Sequence, residues 1–367
     1  MTRATTAHIN LSALSHNLQR VRRAAPGSRI AVAVKANAYG HGLLRVAQAL
    51  NSADALAVAC IEEAVVLREG GITQPIVLLE GVFEAAELPL CSRLNLDIAV
   101  HHLIQVEMLE RASLERPLRV WLKIDTGMHR LGINPDVAEL IWQRLHACPA
   151  VDSDIRVMSH LARADERSND YTLQQLQIFT ETVAELPGER SLANSAGVLG
   201  WPPTHFDWVR PGLMVYGVSP FTDSEGSEEG LQPVMTLSTE LIAINRLAKD
   251  QPVGYGGTWV CPEEMDVGIA AIGYGDGYPR HLPSGAPVLI NGRVAPLIGR
   301  VSMDMISLDL RQHPEAQVGD PVVLWGHGLP VETIARAAGT IPYTLLCAIT
   351  NRVHFIEHID QHSANSN

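Results

Sequence analysis

The chain reads as an α/β protein: a (β/α)8 barrel of the TIM type over residues 1–230, then a mainly-β domain over 231–367. Three observations predict this. Short apolar runs alternate with amphipathic helical stretches through the first two-thirds of the chain, the rhythm of a barrel. The acidic, glycine-containing stretch Asp223-Ser-Glu-Gly-Ser-Glu-Glu-Gly230 then gives way to strand-like alternation punctuated by turns. Finally, Ile30-Ala-Val-Ala-Val34 hands a lysine, Lys35, to the carboxyl end of the first barrel strand, where such barrels keep their chemistry.

The elements follow in order. Leu11, Leu14, Leu18 and Val21 make the apolar stripe of a helix that precedes the first strand. The apolar runs at 30–34, 55–59, 76–79, 96–100, 119–124, 155–159, 191–193 and 207–209 predict eight strands. Gly70-Gly71 closes the helical pattern at 61–69. Asn134-Pro135 opens another, with a capping side chain and Pro at the first helical position. In the second domain, alternation predicts strands at 235–247, 266–272, 287–289, 305–310 and 321–325, with helices at 332–338 and 343–349. A polar tail is expected over 360–367.

Composition narrows the function. A net charge of −12 argues against sequence-independent nucleic-acid binding, which needs clustered Lys and Arg. No uninterrupted apolar run reaches the ~18 residues of a membrane span, and Met1-Thr-Arg-Ala-Thr-Thr-Ala-His8 lacks the apolar core of a signal peptide. The five cysteines (Cys60, Cys91, Cys148, Cys261 and Cys347) are scattered and form no C-x-x-C pair. They read as reduced, mostly buried thiols of a cytoplasmic protein. Fifteen histidines show no metal-ligand spacing, and no metal is expected.

The strand ends carry the chemistry. A lysine finishing a buried strand is costly unless used, because burial disfavours its ammonium and yields the free amine that attacks aldehydes to form a Schiff base. The glycine-rich turn Tyr39-Gly40-His41-Gly42 can present backbone amides and a phenol to an anion. Together they suggest pyridoxal phosphate held by Lys35; a lysine snorkelling from a strand end is the simpler reading. Other strand ends supply Lys123, Asp125, His160, Asn194, Ser195 and Arg210.

These residues resemble the bacterial alanine racemases. The resemblance rests on Val34-Lys35-Ala-Asn-Ala-Tyr39-Gly-His-Gly42, Leu122-Lys-Ile-Asp-Thr-Gly-Met-His-Arg130-Leu-Gly, Met158-Ser-His160-Leu-Ala-Arg-Ala-Asp165 and Val209-Arg210-Pro-Gly212. The second domain adds Val253-Gly-Tyr255-Gly-Gly-Thr-Trp, Gly273-Tyr274-Gly-Asp-Gly-Tyr-Pro-Arg280 and Gly299-Arg-Val-Ser-Met303-Asp304. They occur in family order across nearly the whole chain.

The resemblance implies pyridoxal 5'-phosphate, a head-to-tail homodimer, and interconversion of L- and D-alanine by two bases, with D-alanine supplied to peptidoglycan. Lys35 is then the base serving D-alanine and Tyr255 the base serving L-alanine, reaching the barrel of the other subunit. His160 would hydrogen-bond that tyrosine, and Arg210 would meet the pyridine nitrogen. Tyr39, Ser195, Gly212, Leu213 and Tyr343 would hold the phosphate. Arg130 and the amide of Met303 from the partner would bind the substrate carboxylate. Tyr274 and Tyr343 would narrow the entrance, which suggests a small substrate. Lys123 matches a lysine that is often carbamylated in the family; an ordinary strand-end lysine is the alternative. Position 191 is Ser where some relatives carry a His against the arginine, which weakens that one correspondence.

Three other readings compete. A non-catalytic pyridoxal-phosphate barrel would have neither the β domain nor Tyr255. The basic amino-acid decarboxylases share the layout but pair the ring nitrogen with a carboxylate, where this chain offers Arg210. A racemase of broader specificity keeps every residue above.

Overall fold

The structure, a computed structural model, describes residues 3–358. Its first strand, β1 (Thr6–Asn10), precedes the helix Leu11–Ala24, whose N-cap Asn10 accepts from the amides of Ser12 and Ala13. Eight parallel strands follow: β2 (Arg29–Ala33), β3 (Ala55–Val58), β4 (Ile76–Leu78), β5 (Leu96–Val100), β6 (Val120–Lys123), β7 (Arg156–Met158), β8 (Arg190–Ser191) and β9 (Trp208–Val209). They close in sequential order into a barrel. Each overlaps an apolar run read from the sequence, β8 by residue 191 alone, because a strand covered by helices on one side and packed into the barrel on the other has little polar face.

The barrel interior is narrow and filled unevenly. Ala31, Ala55, Ala57 and Ala99 make room for Trp121 and Trp208, whose rings meet edge to face at 5.5 Å. Below them the floor is charged. Asp97 accepts from the indole Nε1 of Trp121 at 3.0 Å, from Arg119 at 3.1 Å and from Arg156 at 3.2 Å. The Arg156 guanidinium lies over both indoles, 5.1 and 4.8 Å from their centroids. This plug shuts one end of the barrel and leaves the carboxyl ends of the strands as the open face.

The second unit comprises β10 (Met235–Leu247), β11 (Pro252–Val253), β12 (Trp259–Val260), β13 (Met265–Ala270), β14 (Pro287–Ile290), β15 (Arg293–Ile298), β16 (Ile306–Asp309), β17 (Pro321–Trp325) and β18 (His354–His358). The order β13-β16-β15-β14-β17-β10 closes on itself through a β13–β10 pairing, and β1 and β18 extend the sheet beyond β10. Register shifts at 237/238 and 241/243 let the 13-residue β10 serve three neighbours.

Several features depart from the sequence reading, among them the short strands β11 and β12 and the strand β18, none of which was expected. The segment 1–230 assigned to the barrel begins with β1, which pairs antiparallel with β10 (Thr6↔Ser238) and so belongs to the second sheet. Strand β15 was not expected, because Pro296 interrupts its pattern; it pairs with β14 through the hairpin Asn291-Gly292, both residues at positive φ. The tail expected at 360–367 lies outside the described residues.

Candidate active site

A cavity of about 710 Å³ opens at the carboxyl ends of the barrel strands. Lys35, Tyr39, Lys123, Arg130, His160, Ser195, Arg210, Gly212, Leu213 and Tyr343 all line it. Residues far apart in sequence thus converge on one wall-to-wall site.

Lys35 leaves β2 through an unusual turn. Ala36, Asn37, Ala38 and Tyr39 all have φ between 52° and 54°, a left-handed helical turn built without glycine. Such a conformation costs each L-residue roughly 1–2 kcal/mol, so its surroundings must hold it. They do. The carboxylate of Glu63 accepts from the Ala36 amide at 2.6 Å, and Asn37 Oδ1 accepts from the Leu43 amide at 2.8 Å. The buried His41 donates from Nδ1 to the carbonyl of Tyr39 at 2.9 Å, and burial pushes its pKa down to about 4, so it stays neutral. The turn aims the phenol of Tyr39 at Gly212, where a Cβ would stand 2.5 Å from the hydroxyl. The Tyr39-to-Gly42 amides, expected to face an anion, instead bond within this turn: Gly40 N meets Ala36 O at 3.1 Å and Gly42 N meets Asn37 O at 3.0 Å.

The donor cluster lies elsewhere. Ser195 begins the helix Ser195–Gly200 capped by Asn194. Its Oγ accepts from the amides of Gly212 at 2.9 Å and Met214 at 3.3 Å, which leaves the hydroxyl proton to donate. Gly212 therefore shapes the cradle while its own amide is spent on Ser195. The Leu213 amide opens the turn Leu213–Tyr216 and has no acceptor within it. Burial raises the pKa of Tyr39, and Tyr343 follows to about 12, so both phenols are donors at neutral pH.

Arg210, 7% exposed, donates to the hydroxyl of Ser191 and to the carbonyl of Ser159. Burial lowers its pKa to about 10, which still leaves a guanidinium at neutral pH. Ser191, read from sequence as a weak point, is thus a direct partner of the arginine. The lysine that the fold buries is Lys123, 8% exposed, whereas Lys35 is half-buried and faces the cavity. Burial first, then Arg210, Arg130 and Lys35, push Lys123 down to about 8. Burial and the same cations, with Lys123 itself, hold His160 well below its ordinary value. A neutral imidazole offers the site a hydrogen bond, not a charge. Asp125 shapes the turn that presents Arg130, accepting from the amides of Gly127 and His129 at 3.0 Å each.

Comparison with known proteins bears on this arrangement. Residues 9–220 match the family "Alanine racemase, N-terminal domain", and residues 234–357 match "Alanine racemase, C-terminal domain". The chain belongs to the alanine racemase family. It is 57% identical to an alanine racemase of Nitrosococcus oceani over 348 residues, covering 95% of this chain and 97% of that one. It is 52% identical to the biosynthetic alanine racemase of Escherichia coli K12, covering 95% and 98%. The crystal structure of the biosynthetic alanine racemase from Pseudomonas aeruginosa superposes with a TM-score of 0.95 at 46% identity, covering 97% of this chain and all (100%) of that one.

Three of the residues that the alanine racemase resemblance points to do not line the cavity of their own chain. Tyr255 is 65% exposed on the turn Tyr255–Gly257, Met303 is 50% exposed and Tyr274 is 38% exposed. Tyr274 and Met303 adjoin: the amides of Tyr274 and Gly275 donate to the carbonyls of Ser302 and Met303 at 3.0 and 2.9 Å. Arg280 lies over the Tyr274 ring at 5.7 Å.

Two cavity residues escaped the sequence reading. Glu80, just past β4, is the one carboxylate among the described residues that line the cavity with Lys35, Lys123, Arg130 and Arg210. Its place at a strand end was the available signal. Cys347, read as one of several buried thiols, is exposed at the cavity wall on the helix Pro342–Cys347.

Proposed function

We propose that this member of the alanine racemase family interconverts L- and D-alanine with pyridoxal 5'-phosphate, each site being completed by a second copy of the chain. The observation that carries this reading is the convergence in one cavity of the Lys35 amine, the basic side chains of Lys123, Arg130 and Arg210, and a cluster of hydroxyl donors on a glycine whose Cβ would fill the cradle. The donor set fits the cofactor. Tyr39, Ser195, Tyr343 and the Leu213 amide would hold its phosphate, Arg210 its ring nitrogen and Lys35 its aldehyde carbon. Bound there, the cofactor draws electrons from the substrate Cα–H bond and makes that proton removable.

The rest falls to the protein. Lys35 exchanges the proton on one face of Cα and Tyr255 of the second copy on the other. A phenol has a pKa near about 10 in water, so Tyr255 needs the donors of the cavity to act as a base; neutral His160 and the surrounding cations supply them. Arg130 binds the substrate carboxylate, helped by the Met303 amide of the second copy, and Tyr274 of that copy narrows the entrance. Arg210 donates a hydrogen bond without giving up its proton, which limits charge withdrawal into the ring and favours return of the proton to Cα. With its pKa lowered to about 8, Lys123 holds a free-amine fraction near neutral pH that is suited to take up carbon dioxide as a carbamate, whose charge would hold Arg130. The biosynthetic naming of close relatives supports delivery of D-alanine to peptidoglycan.

The test is production of D-alanine from L-alanine by wild type, Lys35→Ala and Tyr255→Phe. Each variant alone should be nearly inactive, and mixing the two should restore activity, because one site of the mixed dimer holds an intact Lys35 and Tyr255. Full activity of Tyr255→Phe alone would sink the two-base scheme.

A further inference from the structure

A second cavity, of about 360 Å³, lies where the end of the barrel domain meets the second sheet. It shares a wall with the catalytic region: Tyr216 lines it, and the Tyr216 ring packs against Tyr39 at a centroid distance of 4.7 Å. Val218, Met235, Pro330, Val331 and Leu346 give it an apolar lining, and its volume falls in the range of about 300–1,000 Å³ typical of small-molecule sites.

One charged group interrupts that lining. Glu332 is 6% exposed and faces the cavity. Its Oε1 accepts from the amides of Ser219 and Gly226, both at 2.9 Å. Its own backbone amide also bonds the carboxylate, and among the described residues no cation forms an ion pair with it. The nearby Arg336 is committed to Glu225 at 2.7 Å. Among the described residues no lysine or arginine lines the cavity, and the histidine of the lining, His327, is exposed. A carboxylate buried in apolar surroundings without a cation is costly, and burial raises the Glu332 pKa accordingly. An occupant carrying the missing positive charge removes that cost.

We propose that this cavity binds a small organic ammonium ion, its apolar body against Val218, Met235 and Leu346 and its charge on the Glu332 carboxylate. An amino acid is the wrong chemistry, because its carboxylate would find no cation there. The site is separate from the racemase cavity and does not rest on the reading of that cavity.

The experiment is calorimetric titration of the full, cofactor-loaded protein at neutral pH with N,N-dimethylcyclohexylammonium, a tertiary amine that cannot condense with an aldehyde. The neutral isostere 2-cyclohexylpropan-2-ol and the anion cyclohexanecarboxylate serve as controls. Saturable binding of the cation is expected, about tenfold tighter than the alcohol, with no binding of the anion. Glu332→Gln keeps the acceptor for Ser219 and Gly226 but removes the charge, so it should bind cation and alcohol equally. Ser227→Trp, placed at the exposed edge of the cavity, should abolish binding of both. Equal affinity for cation and alcohol in the wild type, retained cation preference in Glu332→Gln, or unchanged binding in Ser227→Trp would overturn the proposal.

Discussion

The guanidinium of Arg210 donates to the hydroxyl of Ser191, and that hydroxyl in turn donates to the carbonyl of Trp208 at 2.8 Å. The chain of bonds anchors the arginine to β9, so its direction is fixed before any ligand arrives. Removing one acceptor from a charged group costs about 1.5–3 kcal/mol. Ser191→Ala should therefore lower kcat/KM roughly tenfold, with Arg210 left on the Ser159 carbonyl alone. Replacing Arg210 by Glu should raise transamination relative to racemisation. A carboxylate would accept a hydrogen bond from a protonated ring nitrogen and so stabilise it, where a guanidinium keeps the nitrogen unprotonated. Pyruvate formed per D-alanine formed is the measurement, and an unchanged ratio would count against the role given to Arg210.

Gly212 and Tyr39 constrain each other. A Cβ at position 212 would lie 2.5 Å from the Tyr39 hydroxyl and 3.1 Å from its ring carbon. The phenol cannot swing clear cheaply, because its ring packs against Tyr216 at 4.7 Å and Tyr343 at 5.6 Å. Gly212→Ala should weaken pyridoxal phosphate binding at least about tenfold. In a Tyr39→Phe background the same change should cost less, because the closest contact is gone. Dissociation constants for the cofactor in the four proteins of this cycle measure the coupling; strict additivity would show that the clash is relieved elsewhere.

The eight barrel strands were legible because parallel strands buried on both faces leave unbroken apolar runs, and the polar residue ending each run marked the site. Lys35, Lys123, His160 and Arg210 were found that way. Glu80 ends a run just as they do, yet an acidic residue on a strand end invites a solvent reading. The left-handed turn at 36–39 was illegible for a different reason. Nothing local asks Ala-Asn-Ala-Tyr to adopt positive φ; Glu63 and His41 impose it from outside. The placement of β1 depended on β10, more than 220 residues away in the chain, which no local pattern encodes. By contrast, the Asn291-Gly292 hairpin was readable and was masked only by Pro296 in its second strand.

The charged floor of the barrel makes a stability prediction. Asp97 is enclosed by Arg119, Arg156 and the Trp121 indole, and burial outweighs these donors to raise its pKa. Deleting the carboxylate takes from Arg156, itself 6% exposed and set between two indoles, its one buried partner, and leaves it the half-buried Glu189 at 3.1 Å and the exposed Asp154 at 3.4 Å. Leaving a buried charge with no partner typically costs about 3–5 kcal/mol; because Arg156 keeps Glu189 and Arg119 keeps Asp154, Asp97→Ala should lose somewhat less than that in denaturant unfolding. Neither Asp97 nor Arg156 lines the catalytic cavity, so kcat measured well below the melting temperature should change little.

Lys123 links stability to pH. Its folded pKa is about 8 against an ordinary value of 10.5, with burial the main cause and Arg210, Arg130 and Lys35 contributing. Between those values the unfolded chain binds the proton that the folded protein has released, so stability rises as pH climbs from about 8 toward about 10.5. Below about 8 the ammonium is a constant penalty, on the order of 3 kcal/mol. Lys123→Met removes that penalty. In buffer free of carbon dioxide the variant should melt above the wild type near neutral pH, and the gap should close as pH is raised through this window. A gap independent of pH would show that the amine is solvated in the folded protein. Added bicarbonate bears on the carbamate: the neutral amine should capture carbon dioxide, giving with carbon-13 bicarbonate a carbamate resonance that Lys123→Met lacks.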